Sequence, residues 1–427
     1  MGSKKRNSFK LAYGSTYLSL DLDPALLVDE INPQEMVMAE NEGEMIESSL
    51  DNPLDGFNLS QFHTMKSAAI AVNDKTRPVP HAIMLPPLLK KLQSLGLAGN
   101  QIKLIIATGT HKPMPESEYE KILPADIYQH YPVISHNCDD EKNLVYLGET
   151  TRKTPVKINR QFMESDLKIV LGNIEPHHFM GFSGGAKSMS IGLAGRDTIN
   201  KNHAMLTDPR TSIGEYENNP MRQDVEEIGS ISGLQYALNV VLNHKKEIVR
   251  AFSGAPLEVM KAGIEEVRRT AQVAIQGPYD LVFASVGGAP KDINLYQSQK
   301  AMTHAALCVR DHGAVILAAK CPEGSGNQAF EEYMQGVSTI EQVFQKFNLD
   351  GFRVGPHKAF QIARLASRVN IIMVSDLPDH MVKSWFITPA KNLDEAFKIA
   401  CETITPLNKI AVMPRATNTI PYIANRS

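Results

Sequence analysis

The sequence lacks the features that mark a membrane, secreted or nucleic-acid-binding protein. Its 427 residues contain no apolar run approaching the roughly 20 residues that a membrane-spanning helix needs. No apolar stretch of the signal-peptide kind follows the basic residues near the start of the chain. The formal net charge of −3 gives no electrostatic reason to expect nucleic acid or an anionic membrane as a partner. We therefore expect a cytoplasmic globular protein.

Cysteine is also scarce, and its spacing excludes two further classes of protein. The four cysteines are Cys138, Cys308, Cys321 and Cys401, and no Cys-x-x-Cys spacing occurs. A zinc knuckle or a disulfide framework would need closely spaced or regularly paired cysteines. We expect free thiols in a reducing cytoplasm.

The sequence does contain a clear α/β rhythm. Hydrophobic residues make up 43% of the chain and charged residues 21%, as in ordinary globular proteins, and the length suits two or three domains. Short apolar runs recur, and each is followed by a turn and then by a helical pattern, which predicts parallel strands in βαβ units. The runs cover residues 68–72, 102–107, 167–171, 281–286, 314–319, 370–374 and 410–413.

The middle of the chain interrupts this alternation. Residues 237–242 and 247–252 flank a polar turn and predict a β-hairpin, and residues 256–272 predict a helix. Gly277-Pro278 then marks a break in the chain. We place the main domain boundary at this break.

The predicted fold class is therefore α/β, with two α/β domains that have mainly parallel sheets and an active site in the cleft between them. The first domain would cover residues 1–275, and the tail 410–427 would return to it. The second, smaller α/β domain would cover residues 276–409. This division places every histidine-containing motif in the first domain.

Polar residues follow two of the predicted strands at the point where each strand ends. In open α/β sheets, ligands bind at the carboxyl ends of the strands. Asp74, Thr76 and Arg77 follow the first run, and arginine suits a bidentate grip on a carboxylate or phosphate. His111 follows the second run in a βα loop, where catalytic groups often gather. Taken alone, each group fits an ordinary surface loop better than a functional site, so the prediction of a site depends on their combination with the other clusters.

The densest cluster lies between residues 170 and 203. It combines the pair His177-His178, the turn Gly184-Gly185, Lys187 and His203. Glycines let backbone N–H groups approach an anion, lysine can pair with the anion or bond to it, and histidine can move a proton or bind a metal. A P-loop would need glycine directly before the lysine, where this chain has Ala186. The combination points to an active site that holds a bound cofactor.

A fourth cluster follows the run 281–286. Gly287-Gly288 free the backbone for close approach, and Tyr296, Gln297 and Lys300 come next. Tyr296 and Lys300 stand at positions i and i+4, so they share a helix face. Such a face could bind a small oxyanion. Alternatively, Tyr296 packs in the core and Lys300 is simply solvated, with no role in binding.

Two histidines from different loops could lie on opposite faces of one bound substrate. A racemase needs this arrangement, because it requires a base for each stereoisomer and imidazole has a pKa near neutrality. One alternative is a metal-dependent hydrolase that uses His177, His178 and His203 as ligands and Glu175 as its base, although no His-Glu-x-x-His pattern occurs. The other is a non-catalytic nucleotide-binding protein that uses the glycine turns for phosphate.

Together these motifs resemble the lactate racemase family that carries a covalent nickel-pincer nucleotide. The resemblance spans nearly the whole chain, from the loop Asp74-Lys75-Thr76-Arg77-Pro78 to the strand near Val412. Asn73 departs from the pattern, because members often have an acidic residue there. The motifs that carry the resemblance are Gly109-Thr110-His111, Pro176-His177-His178, Gly184-Gly185-Ala186-Lys187, His203, and Tyr296-Gln297 with Lys300.

The resemblance implies an isomerase, a 2-hydroxy acid racemase or epimerase with a metal-binding cofactor. The cofactor would be nickel in a pyridinium-3-thioamide-5-thiocarboxylic acid mononucleotide, linked covalently through Lys187 and supplied by cofactor-maturation proteins. His203 would be the protein ligand to nickel, and square-planar geometry suits nickel(II). The remaining cofactor-binding residues would be Asp74, Thr76, Gly184 and Gly185.

The same resemblance implies that His111 and His177 are the paired catalytic bases. The substrate would be held by Arg77, Tyr296, Gln297 and Lys300. The α C–H of a hydroxy acid is a poor proton donor, because the neighbouring carboxylate opposes a second negative charge. The implied reaction therefore inverts the α carbon by proton-coupled hydride transfer to the cofactor, which carries the difficult step.

Overall fold

The computed structural model describes residues 7–34, 38–77, 79–243 and 245–423. The chain divides into two compact units. The central unit is residues 35–269, and the composite unit joins residues 1–34 to residues 270–427. Every helix among the described residues is too short or too polar to cross a bilayer.

A six-stranded sheet forms the middle of the central unit. All neighbouring strands are parallel except the edge strand Ile248–Gly254, which runs antiparallel to Tyr236–Leu242 and confirms the predicted hairpin. His244, which comes between these two strands in the sequence, lies outside the described residues. From edge to edge the strands are Ile248–Gly254, Tyr236–Leu242, Leu167–Asn173, Ala68–Asn73, Ile102–Ala107 and Val133–Ser135.

Helices and two short ribbons surround this sheet. The ribbons pair Leu144–Glu149 with Pro155–Asn159 and Pro176–His177 with Gly181–Phe182. The α-helices are Glu42–Asp51, His81–Ser94, Ala125–His130, Arg160–Met163, Lys187–Ser190, Arg196–Ala204, Pro220–Ile231 and Pro256–Ala271.

The central sheet is buried on both faces, which explains why its strands are continuous apolar runs. Ile70 and Leu104 belong to the hydrophobic core on one face. Ala69, Ile105 and Val170 point to the other face and are also fully buried. Parallel sheets covered by helices on both sides have this pattern.

The composite unit has its own six-stranded sheet, and all of its strands are parallel. An antiparallel hairpin, Asn7–Tyr13 with Thr16–Leu22, and a short parallel pair, Gln272–Ile275 with Ile420–Ile423, complete its strands. From edge to edge the sheet contains Thr388–Ala390, Asn370–Val374, Val309–Ala318, Tyr279–Ser285, Lys409–Met413 and Leu27–Glu30.

Helices cover both faces of the composite sheet as well. Val282 and Val315 belong to the core on one face, and Phe283 and Ile316 to the core on the other. The helices of this unit are Leu295–Ala306, Gln328–Met334, Ile340–Asp350, Pro356–Ala366, Asp379–Ser384 and Leu393–Thr403. Two α/β units with mainly parallel sheets confirm the predicted fold class.

The structure differs from the expected domain limits at both ends of the chain. The division near residue 270 lies close to the expected boundary at 275, but residues 1–34 join the composite unit. The tail also stays there, because Lys409–Met413 lies between Tyr279–Ser285 and Leu27–Glu30. The apolar strand Lys409–Met413 is buried in that sheet, so residues 410–423 do not return to the central unit.

Candidate active site

The strand order of the central unit brings three of the predicted polar loops to one edge of the sheet. Leu167–Asn173, Ala68–Asn73 and Ile102–Ala107 are parallel neighbours. Their carboxyl ends therefore lie side by side, at the edge where α/β sheets bind ligands. The loops that follow them carry His177, Asp74 with Arg77, and His111.

Asp74 is a buried carboxylate that holds His111. Its Oδ2 lies 2.7 Å from His111 Nδ1, and its Oδ1 accepts hydrogen bonds from Thr76 Oγ1 at 2.7 Å and Thr76 N at 3.1 Å. Burial alone would raise the pKa of Asp74, but the hydrogen bonds from His111 and Thr76 outweigh it and lower that pKa. Asp74 is therefore ionised at neutral pH.

Arg77 is exposed at the end of the same loop. Its backbone N–H donates to Asp74 O at 3.0 Å, which closes a turn. Its guanidinium is near enough to Lys187 to lower the pKa of that lysine. The expected substrate-binding cation and the expected cofactor lysine thus lie in the same region of the central unit.

Three histidines gather around the ring of Phe179. The His177 and His178 rings are stacked with centroids 4.9 Å apart, and each makes an edge contact with Phe179 at 4.5 Å. The His203 ring meets Phe179 at 5.5 Å. The structure therefore brings His177 and His203 together through an aromatic residue that the sequence argument did not single out.

The glycine turn before Lys187 is shaped by packing. Gly184 and Gly185 have φ of +86° and +56°, a region that favours glycine. A Cβ on Gly184 would lie 2.7 Å from Ile174 Cγ1, and one on Gly185 would lie 2.4 Å from Met260 Cγ. The fold itself requires both glycines, whatever ligand the turn holds.

A fully buried arginine holds this turn in place through hydrogen bonds. Arg222 donates from Nη1 to Phe182 O at 3.1 Å and from Nη2 to Gly184 O at 3.0 Å. Its Nε donates to Glu226 Oε1 at 2.8 Å, and Tyr216 OH donates to the same oxygen at 2.9 Å. Arg222 lies in the ordinary amphipathic helix Pro220–Ile231, so no sequence signal marked it.

Lys187 begins the short helix Lys187–Ser190, directly after the turn. Burial lowers the pKa of Lys187 to about 7, and the charges of Arg77 and Arg222 act in the same direction. A large fraction of this amine is therefore uncharged near neutral pH. An uncharged amine is the nucleophilic form, the one that bonds covalently to a cofactor.

His203 is a buried imidazole on the helix Arg196–Ala204. Burial lowers the pKa of His203 to about 3, and the nearby Lys187 charge adds to the effect. The ring is therefore neutral at physiological pH, as a metal ligand must be. No group of three or more His, Cys, Asp or Glu in the described parts of the chain could hold a metal ion.

The other predicted substrate residues lie in the composite unit, on the helix Leu295–Ala306. Tyr296 is partly buried, and Gln297 and Lys300 are exposed. Lys358 Nζ lies 4.7 Å from the centre of the Tyr296 ring and donates to Gln299 Oε1 at 2.8 Å. This buried lysine was not predicted from the sequence.

Trp385, the lone tryptophan, is a core residue of the composite unit. It is buried and its ring lies 5.4 Å from that of Phe330. Packing within this core explains its position.

Comparison with known proteins assigns the chain to a family. The model of the lactate racemase N-terminal domain matches residues 13–214, and that of the lactate racemase C-terminal domain matches residues 275–420. A lactate racemase of Thermoanaerobacterium thermosaccharolyticum is 32% identical over 97% of this chain and 99% of its own length. The chain belongs to the lactate racemase family. A second lactate racemase, from Lactiplantibacillus plantarum, is 31% identical over 88% of this chain and 89% of its own length.

Membership of this family makes the chain an isomerase, and solved structures agree with its fold. The lactate racemase apoprotein of T. thermosaccharolyticum matches with a TM-score of 0.89 and 31% identity, covering 97% of this chain and 100% of that chain. A Thermotoga maritima protein matches with a TM-score of 0.64 at 16% identity, covering 91% and 100%, and shares the fold alone. Lys187, the buried imidazole of His203 and the Asp74–His111 pair all lie in the central unit.

Proposed function

We propose that this enzyme inverts the α carbon of a 2-hydroxy acid, using a nickel-pincer nucleotide attached to Lys187. The proposal rests mainly on two groups that lie near enough to influence each other's charge. Lys187 has a pKa lowered to about 7, and the imidazole of His203 is buried and neutral. One group suits a covalent bond to a cofactor, and the other suits a metal held by that cofactor. Because two relatives are named lactate racemase, lactate is the first substrate to test.

The residues of the central unit fit this cofactor. Lys187 would form the thioamide link and His203 would bind nickel, while Asp74, Thr76, Gly184 and Gly185 are the remaining candidates for contact with the nucleotide. When bound, the group supplies an acceptor for the hydrogen and electron pair of the α C–H bond. The protein supplies the attachment, the ligand to the metal and the proton-transfer groups.

The catalytic roles belong to two histidines from different loops. His111 would take the hydroxyl proton of one enantiomer and His177 that of the other, each returning a proton in the reverse direction. Their loops follow the strands Ile102–Ala107 and Leu167–Asn173, which flank Ala68–Asn73 in the sheet. Orientation by such fixed groups can provide much of the rate enhancement.

The substrate would be held by a set of polar and cationic groups. Arg77 would bind the carboxylate with a bidentate grip. Tyr296, Gln297 and Lys300 would contact the carboxylate and the hydroxyl. Lys358 adds a buried cation beside Tyr296, so the substrate screen should include dicarboxylic 2-hydroxy acids as well as lactate.

The hydrolase alternative has less support. It needs three protein ligands for zinc, and the described residues contain no suitable group of three. A non-catalytic nucleotide-binding role would not explain the close contact between Asp74 and His111. We further propose that the enzyme works in the cytoplasm with cofactor-maturation proteins, as the family resemblance implies.

The test is to express the chain together with cofactor-making proteins and to measure intact mass, metal content and turnover. We expect an adduct that maps to Lys187, bound nickel, and interconversion of the lactate enantiomers or of another 2-hydroxy acid. Lys187→Arg should lose the adduct, because a guanidinium cannot form the thioamide. Lys201→Arg, on the exposed side of a neighbouring helix, is the matched control and should retain the adduct.

Other outcomes would contradict the proposal in distinct ways. Protein that carries zinc and no adduct under these conditions would support the hydrolase. A bound nucleotide without turnover of any 2-hydroxy acid would support the non-catalytic role. His203→Ala should reduce the nickel content while the adduct stays on Lys187, and unchanged nickel would remove His203 as the ligand.

A further inference from the structure

The side chain of Asp74 makes contacts within the protein that a role in binding the cofactor does not explain. Its side chain is only 4% exposed, and both of its oxygens are occupied by groups of its own unit. Oδ1 accepts two hydrogen bonds from Thr76, and Oδ2 lies 2.7 Å from Nδ1 of His111. The carboxylate is thus built into the protein as a partner of one imidazole.

This contact fixes which ring nitrogen of His111 carries the proton. An ionised carboxylate can only accept hydrogen bonds, so Nδ1 of His111 must be the donor. In a neutral imidazole, the other nitrogen is then bare and is an acceptor. Nε2 is separated from Nδ1 by one ring carbon, and the His111 side chain as a whole is 45% exposed. The nitrogen that remains for proton uptake is therefore Nε2, on a side chain that is partly open to solvent.

His177 offers a contrast within the same site. The backbone N–H of Met180 donates to His177 Nδ1 at 3.3 Å. A nitrogen that accepts a hydrogen bond carries no proton, so a neutral His177 has its proton on Nε2. The two candidate bases are held in opposite tautomers, one by a carboxylate and the other by a backbone amide.

We propose that Asp74 is a positioning residue that presents Nε2 of His111 as the proton acceptor of the resting enzyme. The inference rests on the proposed function, because it concerns how one of the two bases works. In the step, the O–H bond of the substrate hydroxyl breaks, an N–H bond forms at Nε2, and the electron pair stays on the substrate oxygen. His111 becomes an imidazolium that donates from both nitrogens, and the negative charge of Asp74 stabilises it. His177 must change its tautomer before it can accept a proton through Nε2.

The first test reads the tautomer directly. Nitrogen NMR of protein labelled at histidine separates rings protonated on Nδ1 from rings protonated on Nε2, and His111→Gln identifies the signal. We expect neutral His111 in the Nδ1–H form. An Nε2–H form in the unaltered protein would overturn the inference, and this measurement needs neither cofactor nor substrate.

The second test reverses the tautomer with Asp74→Asn. The asparagine oxygen should stay at the Oδ1 position, because Thr76 N must donate to it. The amide NH2 would then face Nδ1 of His111 and force that nitrogen to accept, which moves the proton to Nε2. We expect kcat of the loaded enzyme to fall about 10²- to 10⁴-fold, the range for losing a general base, while KM changes little.

Glu118→Gln is the matched control. It removes a carboxylate that pairs with Lys75, the neighbour of Asp74 in the chain, but leaves the bond between Asp74 and His111 in place. The His111 tautomer and kcat should be the same as in the unaltered enzyme. A comparable loss of kcat in this control would show that loop charge, not the Asp74 contact, is responsible, and would overturn the inference.

The remaining outcomes separate this inference from the proposed function. Full kcat in Asp74→Asn, or loss of the Lys187 adduct with an unchanged His111 tautomer, would overturn the inference alone. The second result would make Asp74 a cofactor contact instead. Absence of turnover in the fully loaded, unaltered enzyme across a panel of 2-hydroxy acids would defeat the proposed function, while the NMR result would stand by itself.

Discussion

Under the proposed function, the chemistry of the central unit depends most on Lys187. A lysine in water has a pKa of about 10.4, so its amine is almost entirely charged at neutral pH. Burial and two neighbouring guanidinium groups lower the pKa of Lys187 to about 7. The fold therefore leaves a large fraction of this amine uncharged near neutral pH, which is the nucleophilic form.

The lowered pKa predicts a specific reactivity. In the cofactor-free protein, Lys187 should react with a small amine-acylating reagent faster than any exposed lysine near neutral pH. The rate should be half-maximal near the pKa of about 7, since it rises as the amine loses its proton. Peptide mapping by mass spectrometry over a range of pH measures this rate for each lysine.

Exposed Lys201 is the internal comparison for that measurement, because its rate should still be rising at pH values near 10, as for an ordinary lysine. If the two lysines have the same pH profile, the idea that the fold activates Lys187 is wrong. Arg222→Met should move the Lys187 profile to higher pH, because it removes one of the charges that lower the pKa.

At the scale of elements, the segment from Pro176 to Lys187 is determined by contacts with distant parts of the chain. Gly181 has a φ of +72°, and a Cβ there would lie 1.8 Å from Glu215 O. This glycine ends the ribbon that carries His177, since His177 is its partner in the register. The close approach of the Glu215 backbone to Gly181 thus helps to place the ribbon that carries His177.

We predict that Gly181→Ala is far more destabilising than Gly233→Ala. Gly233 has a φ of +61°, but a Cβ there would meet no other atom within 4 Å, so alanine should cost only the left-handed backbone penalty of about 1–2 kcal/mol. Gly181→Ala adds a steric clash of about 1–3 kcal/mol. Urea unfolding of both variants measures the difference, and equal losses of stability would contradict the close approach to Glu215.

Arg222 connects the helix Pro220–Ile231 to the glycine turn. Arg222→Met leaves the Glu226 carboxylate, two carbonyl groups and Tyr216 without their cation, so we expect a loss of about 3–5 kcal/mol in the free energy of unfolding. Adding Glu226→Gln removes the uncompensated charge and should recover part of that loss. The experiment is a double-mutant cycle followed by denaturant unfolding. A single-variant loss under about 1 kcal/mol, or a double variant no more stable than the single one, would contradict this account.

At the scale of the whole molecule, the fold could be predicted from the sequence where an apolar run in the chain forms a strand that is buried in the folded protein. The runs 102–107 and 370–374 coincide with strands of the structure, because both sheets are covered on two faces and their strands are continuously apolar. The helix that carries Tyr296 and Lys300 also has the predicted location.

The parts that the sequence did not reveal depend on contacts between distant residues. The strands Asn7–Tyr13 and Leu27–Glu30 have mixed polar patterns, and the place of Leu27–Glu30 in the composite sheet depends on pairing with residues far along the chain. The hydrogen bonds from Arg222 to Phe182 O and Gly184 O likewise join residues that are far apart in the sequence. The residue types in the candidate site were recognisable, but the Asp74–His111 bond and the Phe179 contacts required the folded backbone.

The measurement that tests the central claim most directly follows the hydrogen on the α carbon. Enzyme loaded with cofactor would be incubated in deuterated water with a single enantiomer of lactate and of other 2-hydroxy acids. If the proposed function holds, the bound cofactor would supply the acceptor for the α hydrogen and shield it from exchange with solvent. We therefore predict that the inverted product carries little solvent deuterium at the α carbon, and that Lys187→Arg gives no inversion. Extensive deuterium at the α carbon of the product, or inversion by the Lys187→Arg variant, would contradict the account.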